Sequence, residues 1–204
     1  MSVPSKIICV GRNYVDHAAE LGSEVPDEPL IFFKPPSAVV SSGDPIRIPE
    51  GVGRVDYEGE IGLRVGIRTR NATPATALKS IDAVLPMNDV TARDLQAKDD
   101  QWARAKGFDT FCGVGPAVPV DGLDLDSVEV VTRVNGEERQ RGRPTDMAFS
   151  PADLIVYISG IMTLEPGDLI ATGTPEGVGA LRVGDTVEVE LVGLSTLRNS
   201  VEAE

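Results

Sequence analysis

The sequence predicts an α+β fold, mainly β with a few short helices, in a single domain spanning residues 1–204. Three observations lead there. From Tyr57 to Ile67 the chain alternates, with Tyr57, Ile61, Leu63, Val65 and Ile67 apolar and Glu58, Glu60 and Arg64 between them, which is the period of a half-buried strand. From Val128 onward nearly every stretch reads as β, beginning with the hairpin turn Asn135-Gly136 and a second strand from near Glu138. Helical stretches are few and brief.

In chain order, Lys6 to Val10 is a short buried strand closed by Gly11. Gly11 to Gly22 reads as a small helix with Asn13 as cap and Gly22 as terminator, followed by a mobile loop to Pro29. Leu30 to Lys34 is the next buried strand; Lys34 at its exit is either a structural edge lysine or a substrate contact. A Ser-Ser-Gly-Asp-Pro turn separates two short strands between Ala38 and Ile48. Thr73 caps a short helix with Pro74 at its first position, and an apolar run from Ile81 to Met87 leads into a helix from about Thr91 to Lys106, ended by Gly107. Ser150-Pro151-Ala152-Asp153 opens a last helix. Leu164–Ile170 and Leu181–Val187 then repeat one unit, a Gly-Asp turn followed by a strand.

A net charge of −13 excludes nucleic acid and anionic membrane surfaces as partners. No apolar stretch approaches a membrane span, and the first residues do not read as a signal peptide. Cys9 and Cys112 have no metal-site spacing, so a reduced, cytoplasmic chain is expected.

Chemistry concentrates in two places. Glu58 and Glu60 leave the same face of their strand, with bases about 6–7 Å apart, and such like charges repel unless a cation sits between them. Gly59, Gly62 and Gly66 suggest close approach of a ligand or another backbone. Asp89 falls at a strand-to-helix junction, where Thr91 can cap the helix. Three carboxylates without histidine or cysteine form a hard oxygen site for Mg²⁺, Mn²⁺ or Ca²⁺, with positions left for water or a chelating substrate; a solvated acidic face is the alternative. His17, the only histidine, shares a helix face with Glu20, which can orient it as a base, although a lone histidine on a short helix is more often a surface residue. Lys106 in a last helical turn needs no further role than offsetting the helix end. Thr172 to Gly179 is glycine-rich enough for its N–H groups to hold an anion, but lacks the lysine of a phosphate loop.

The residues resemble the fumarylacetoacetate hydrolase family. The likeness runs in order through Val10-Gly11-Arg12-Asn13-Tyr14 with His17 and Glu20, Phe33-Lys34-Pro35-Pro36-Ser37, Asp56-Tyr57-Glu58-Gly59-Glu60 and Asn88 to Gln96. It continues through Lys106-Gly107-Phe108-Asp109-Thr110, Val134-Asn135-Gly136-Glu137, Pro166-Gly167-Asp168 and Gly173 to Gly179. It implies a mixed β-roll, usually dimeric, with Glu58, Glu60 and Asp89 as metal ligands, His17 and Glu20 as a water-activating pair on a small lid, and Lys106, Gln96, Arg12 and Thr174 as substrate contacts. The short length is similar to the acylpyruvase and oxaloacetate decarboxylase members. Ala83-Val84 and Cys112-Gly113 depart from the family pattern, a change expected to bear on the pocket wall.

The reading preferred from this resemblance is a Mg²⁺-dependent hydrolase that cleaves a carbon–carbon bond of acylpyruvate or fumarylacetoacetate-type dioxo acids by way of a pyruvate enolate, with Lys106 neutralising charge at the substrate. An oxaloacetate decarboxylase or a 2-hydroxyhepta-2,4-diene-1,7-dioate isomerase on the same site is the nearest rival. A non-catalytic acidic protein that binds Ca²⁺ is the rival of another class.

Overall fold

Alternation of side chains decides which strands are covered on one face and which on both. The computed structural model describes residues 3–20, 22 and 24–204. Leu21 of the expected first helix, Ser23 of the following loop and the first two residues lie outside it. Seven strands follow one another across the main sheet: Leu30–Lys34, Ile7–Gly11, Leu169–Ala171, Gly59–Val65, Ile81–Asp89, Cys112–Val114 and Val39–Ser41, with Val118–Pro119 added beside Ile81–Asp89. Two pairings, Ile7–Gly11 with Leu169–Ala171 and Val39–Ser41 with Cys112–Val114, are parallel and the rest antiparallel, so the sheet is mixed.

A second sheet runs Glu137–Gly142, Val130–Val134, Thr186–Leu191, Ser195–Ala203, Ile46–Ile48. It packs on one face of the main sheet: Ile61, Leu63, Val65 and Val84 meet Val130, Val189, Leu191 and Leu197 in one core, into which the helix Pro151–Ile161 sends Leu154, Ile155 and Ile158. The opposite face holds a smaller core of Ile7, Cys9, Leu85, Met87, Cys112 and Ala171. Because both faces are covered, Gly59–Val65 is almost wholly buried, rather than half-buried as its alternation suggested, and Ile67 lies exposed beyond its end. The alternating run is also broken. Val55–Tyr57 belongs to a small third sheet, pairing with Gly179–Ala180 and Thr91–Ala92, and the chain changes sheets at Glu58.

Several local expectations hold. Asn135 (φ 54°) and Gly136 (φ 82°) are both left-handed, as a tight hairpin turn requires. Ser150 and Asp153 form a reciprocal capping box at the start of the last helix. Gly167 and Gly184 take positive φ ahead of Leu169–Ala171 and Thr186–Leu191.

Others change. Among the described residues Asn13 caps no helix: its buried amide bonds the Thr172 carbonyl (2.8 Å) and both backbone groups of Phe149, tying two loops together, while the helix runs Val15–Glu20. The expected helix near Thr73 is a turn, with a 3₁₀ turn at Ala77–Ser80 after it. The long helix after Asp89 is two short ones, Arg93–Lys98 and Ala103–Lys106. Asp99 between them is extended and takes two hydrogen bonds from Arg104, and the break lets Trp102 meet Phe32 edge-on at 5.2 Å. Thr91 does not cap that helix; its hydroxyl donates to the Asp89 carbonyl instead. The glycines make room for protein, not ligand: a β-carbon at Gly59 would strike Thr132, one at Gly62 would strike Met87 and one at Gly66 would strike Asp82.

Candidate active site

Glu58, Glu60 and Asp89 are buried, and one carboxylate oxygen from each lies within 4.8 Å of the other two. Their convergence follows from backbone pairing. Gly59 lies opposite Asn88, the Asp89 N–H donates to the Glu58 carbonyl (2.8 Å), and the Glu58 N–H donates to the Asn88 side chain (3.0 Å). The sheet change at Glu58 and the end of Ile81–Asp89 therefore fall side by side, and the three acids aim into one cavity of about 470 Å³. The same cavity is lined by Arg12, His17, Gln96, Lys106 and Thr174; of the other residues singled out from the sequence, Glu20 stands behind His17 and Lys34 lies outside the lining. Neither Ala83-Val84 nor Cys112-Gly113 lines it, contrary to the expected effect on its wall.

The electrostatics are those of a cation site. Burial, Asp89 and Glu58 together push the Glu60 carboxyl well above the usual carboxylate range, against one favourable hydrogen bond from the Gly173 N–H (2.7 Å). Burial acts on Glu58 in the same direction, but Arg93 (2.5 Å) and Lys106 (2.7 Å) outweigh it and hold Glu58 below its ordinary value. Lys106 reaches both Glu58 and Asp89 (2.6 Å); burial alone would lower its pKa, yet those two acids keep it raised and charged. That position sets it over the Phe32 ring at 4.9 Å and makes it part of the triad's surroundings, well beyond offsetting a helix end.

Three participants have roles other than any the sequence suggested. Lys34 is neither an edge lysine nor part of the cavity lining: it is fully buried and donates to Asp89 (2.5 Å) and the Val90 carbonyl (3.0 Å), fixing the aspartate from behind. Arg93 joins Asp56 (2.8 Å), Glu58 and the Gln96 side-chain oxygen (2.9 Å). Arg54 at the rim bonds Asp56 through two nitrogens.

His17 is buried, and its Nδ1 stands 3.2 Å from Glu20 Oε2. Both Glu20 oxygens also accept from the Gly177 N–H at 3.2 Å, so the helix Val15–Glu20 is fastened to the glycine-rich loop. That loop does present N–H groups to acidic side chains, as its glycines suggested, but the acids are the protein's own Glu20 and Glu60. Arg12 takes a left-handed backbone (φ 57°), an uncommon geometry for a residue with a long side chain, beside the buried Asn13.

The donor set fits a divalent metal: three converging carboxylates, one of them with its charge disfavoured by the others, and no soft ligand among them. Beside it stand a carboxylate-oriented imidazole and several cations, a combination able to bind a small acid and move protons near it.

A family model described as the fumarylacetoacetate (FAA) hydrolase C-terminal domain matches residues 6–202. A mitochondrial oxaloacetate tautomerase of Arabidopsis thaliana is 42% identical over 97% of this chain and 90% of its own length. Among solved structures, 5-carboxymethyl-2-hydroxymuconate delta-isomerase of Mycobacterium smegmatis aligns with a TM-score of 0.92 at 44% identity, over 99% of this chain and 80% of that one. Fumarylpyruvate hydrolase of Pseudomonas aeruginosa, solved in complex with Mn²⁺ and pyruvate, aligns with a TM-score of 0.91 at 32% identity, over 98% and 91%.

Proposed function

The chain belongs to the fumarylacetoacetate (FAA) hydrolase family, whose members are metal-dependent hydrolases, decarboxylases and isomerases, and on that footing we propose that it is a Mg²⁺-dependent hydrolase of acylpyruvate-type 2-oxo acids. The observation that carries this reading is the junction, in one cavity, of the Glu58–Glu60–Asp89 cluster with the His17–Glu20 pair.

Glu58, Glu60 and Asp89 would hold the divalent ion, which would supply Lewis acidity toward a bound 2-oxo acid. Arg12 and Gln96 orient the acid, Thr174 bounds it from the glycine-rich loop with its own hydroxyl proton given to the Gly59 carbonyl, and Lys106 offsets its charge. Glu20 accepts a hydrogen bond from the Nδ1–H of His17, which leaves Nε2 unprotonated and able to take a proton from water. The resulting hydroxide attacks the distal carbonyl, the carbon–carbon bond breaks, and its electron pair stays on pyruvate as an enolate. The imidazolium returns its proton to that carbon, so His17 ends the cycle as it began.

A second reading is tautomerisation or decarboxylation of oxaloacetate, in which His17 moves a proton on the substrate and water is not consumed. It is favoured by the higher identity to the Arabidopsis tautomerase (42%) than to the Pseudomonas hydrolase (32%). Acetylpyruvate, fumarylpyruvate and oxaloacetate, each incubated with the protein and Mg²⁺, separate the two. Pyruvate release from an acylpyruvate supports hydrolysis; keto–enol exchange or CO₂ from oxaloacetate alone supports the second reading; inertness toward all three with Mg²⁺ or Mn²⁺ defeats both. The reading also takes the protein to be a cytoplasmic homodimer, which sedimentation of the purified chain tests for its oligomeric part. Among the described residues no helix is long and apolar enough to cross a membrane.

A further inference from the structure

Gln140 has no part in the chemistry above, yet its amide closes a ring of hydrogen bonds around the peptide between the two glutamates. The Gly59 N–H donates to Gln140 Oε1 (3.0 Å); Gln140 Nε2 donates to Thr174 Oγ1 (2.7 Å) and to the Pro175 carbonyl (2.8 Å); and Thr174 Oγ1 donates to the Gly59 carbonyl (2.9 Å). The amide has one workable orientation, because reversing it would set donor against the Gly59 N–H and acceptor against the Pro175 carbonyl.

The strand is shaped to deliver that side chain. Thr132 lies opposite Gln140 while Arg133 lies opposite Glu138, so Arg139 is an extra residue in a β-bulge. Residues Glu137 to Arg139 are exposed and Gln140 is buried, the re-aiming of a side chain that a bulge achieves. The bulge also seats the loop: a β-carbon on Gly177 would collide with the Arg139 carbonyl.

Resting on the reading of Glu58, Glu60 and Asp89 as metal ligands, we propose that Gln140 is a positioning residue that sets the backbone between Glu58 and Glu60 and locks it to the substrate loop at Thr174. The single hydroxyl proton of Thr174 is thereby committed to Gly59. A structural tie would support the fold alone; this one sets metal affinity, since each glutamate is one peptide unit from the clamped residue.

The test is calorimetric titration with Mn²⁺ of the wild type, Gln140→Leu, Thr174→Val and the double variant, with thermal unfolding of each. Asn199→Leu serves as control, because Asn199 is equally buried in the same sheet and ties down the Ser41 and Asp44 carbonyls. Gln140→Leu and Thr174→Val are each expected to weaken Mn²⁺ binding about tenfold or more, the usual loss for a group supporting a ligand. The double variant should be little worse than either single one, because both open the same ring. Asn199→Leu should lower Tm and leave Mn²⁺ binding unchanged. Should Gln140→Leu fail to fold, Thr174→Val decides alone. Binding by the folded variants within about twofold of wild type, well inside the loss just stated, overturns the proposal; so does an equal loss in Asn199→Leu. A wild type that takes up no Mn²⁺ defeats the metal reading itself, a different result from unchanged binding in the variants.

Discussion

Replacing Glu60 by Gln separates the cost of the acidic triad from its use. With carboxylate oxygens within 4.8 Å, each pair of full negative charges repels by about 3.5 kcal/mol at an effective dielectric of about 20. Glu60 relieves part of this by binding a proton more readily than usual, and Gln keeps an oxygen able to accept from the Gly173 N–H. Glu60→Gln should therefore unfold without metal at the same temperature as wild type or higher. In metal the order reverses. A ligand at about one hundred times its Kd adds about 2.7 kcal/mol to wild type, and at about 2–4 °C per kcal/mol for a chain of this size that raises Tm by about 5–10 °C. Glu60→Gln should lose most of that rise. Thermal unfolding in chelator and in saturating Mn²⁺ reads both effects. A variant that melts well below wild type in chelator yet keeps the full Mn²⁺ shift would refute the reasoning, since Glu60 would then be a structural acid.

Three more outcomes follow from the geometry. His17→Asn and Glu20→Gln should each lower turnover by about 10²–10⁴-fold while leaving Mn²⁺ affinity within experimental scatter, because neither is hydrogen-bonded to the three carboxylates; turnover assays beside a Mn²⁺ titration check this. Gly59→Ala should destabilise by about 1–3 kcal/mol through the collision with Thr132, and Thr132→Ala added to it should restore part of the loss, read from urea unfolding. Burial alone would raise Asp168, but Lys6, Ser5 and the Glu165 N–H hold it below its ordinary value, so its contribution to stability is present above the unfolded carboxylate pKa and lost as pH falls through the folded one. Asp168→Asn should accordingly cost about 1–2 kcal/mol at pH 7, since the partly exposed Lys6 left behind is still reached by water, and the gap to wild type should narrow in acid.

The members of the acidic cluster were legible, two acids two residues apart and a third at the end of an apolar run, whereas the sheet change at Glu58 that sets them beside Asp89 was not. The Asn135-Gly136 hairpin and the Ser150–Asp153 cap were legible too, each being a few adjacent residues with one favoured geometry. The pieces that escaped are set by contacts distant in sequence. Nothing between Thr91 and Lys106 breaks a helix by composition; the break follows from Trp102 packing on Phe32, seventy residues upstream. Lys34 looked like an edge residue because its partner, Asp89, lies 55 positions on. Asn13 looked like a cap because its partners at Phe149 and Thr172 belong to loops that only the fold brings near. Gln140 was invisible because a bulge, which alternation cannot anticipate, turns it inward.

The central claim is that Glu58, Glu60 and Asp89 share one divalent cation. Anomalous diffraction from crystals grown with Mn²⁺ locates that ion without any assay of activity. A single strong peak per chain in bonding contact with an oxygen of each of the three carboxylates, and its disappearance in Glu60→Gln crystals, is the predicted result. Crystals of the wild type in saturating Mn²⁺ with no peak there, or with Lys106 still bonded to Glu58 and Asp89 and the ion held elsewhere, would contradict it.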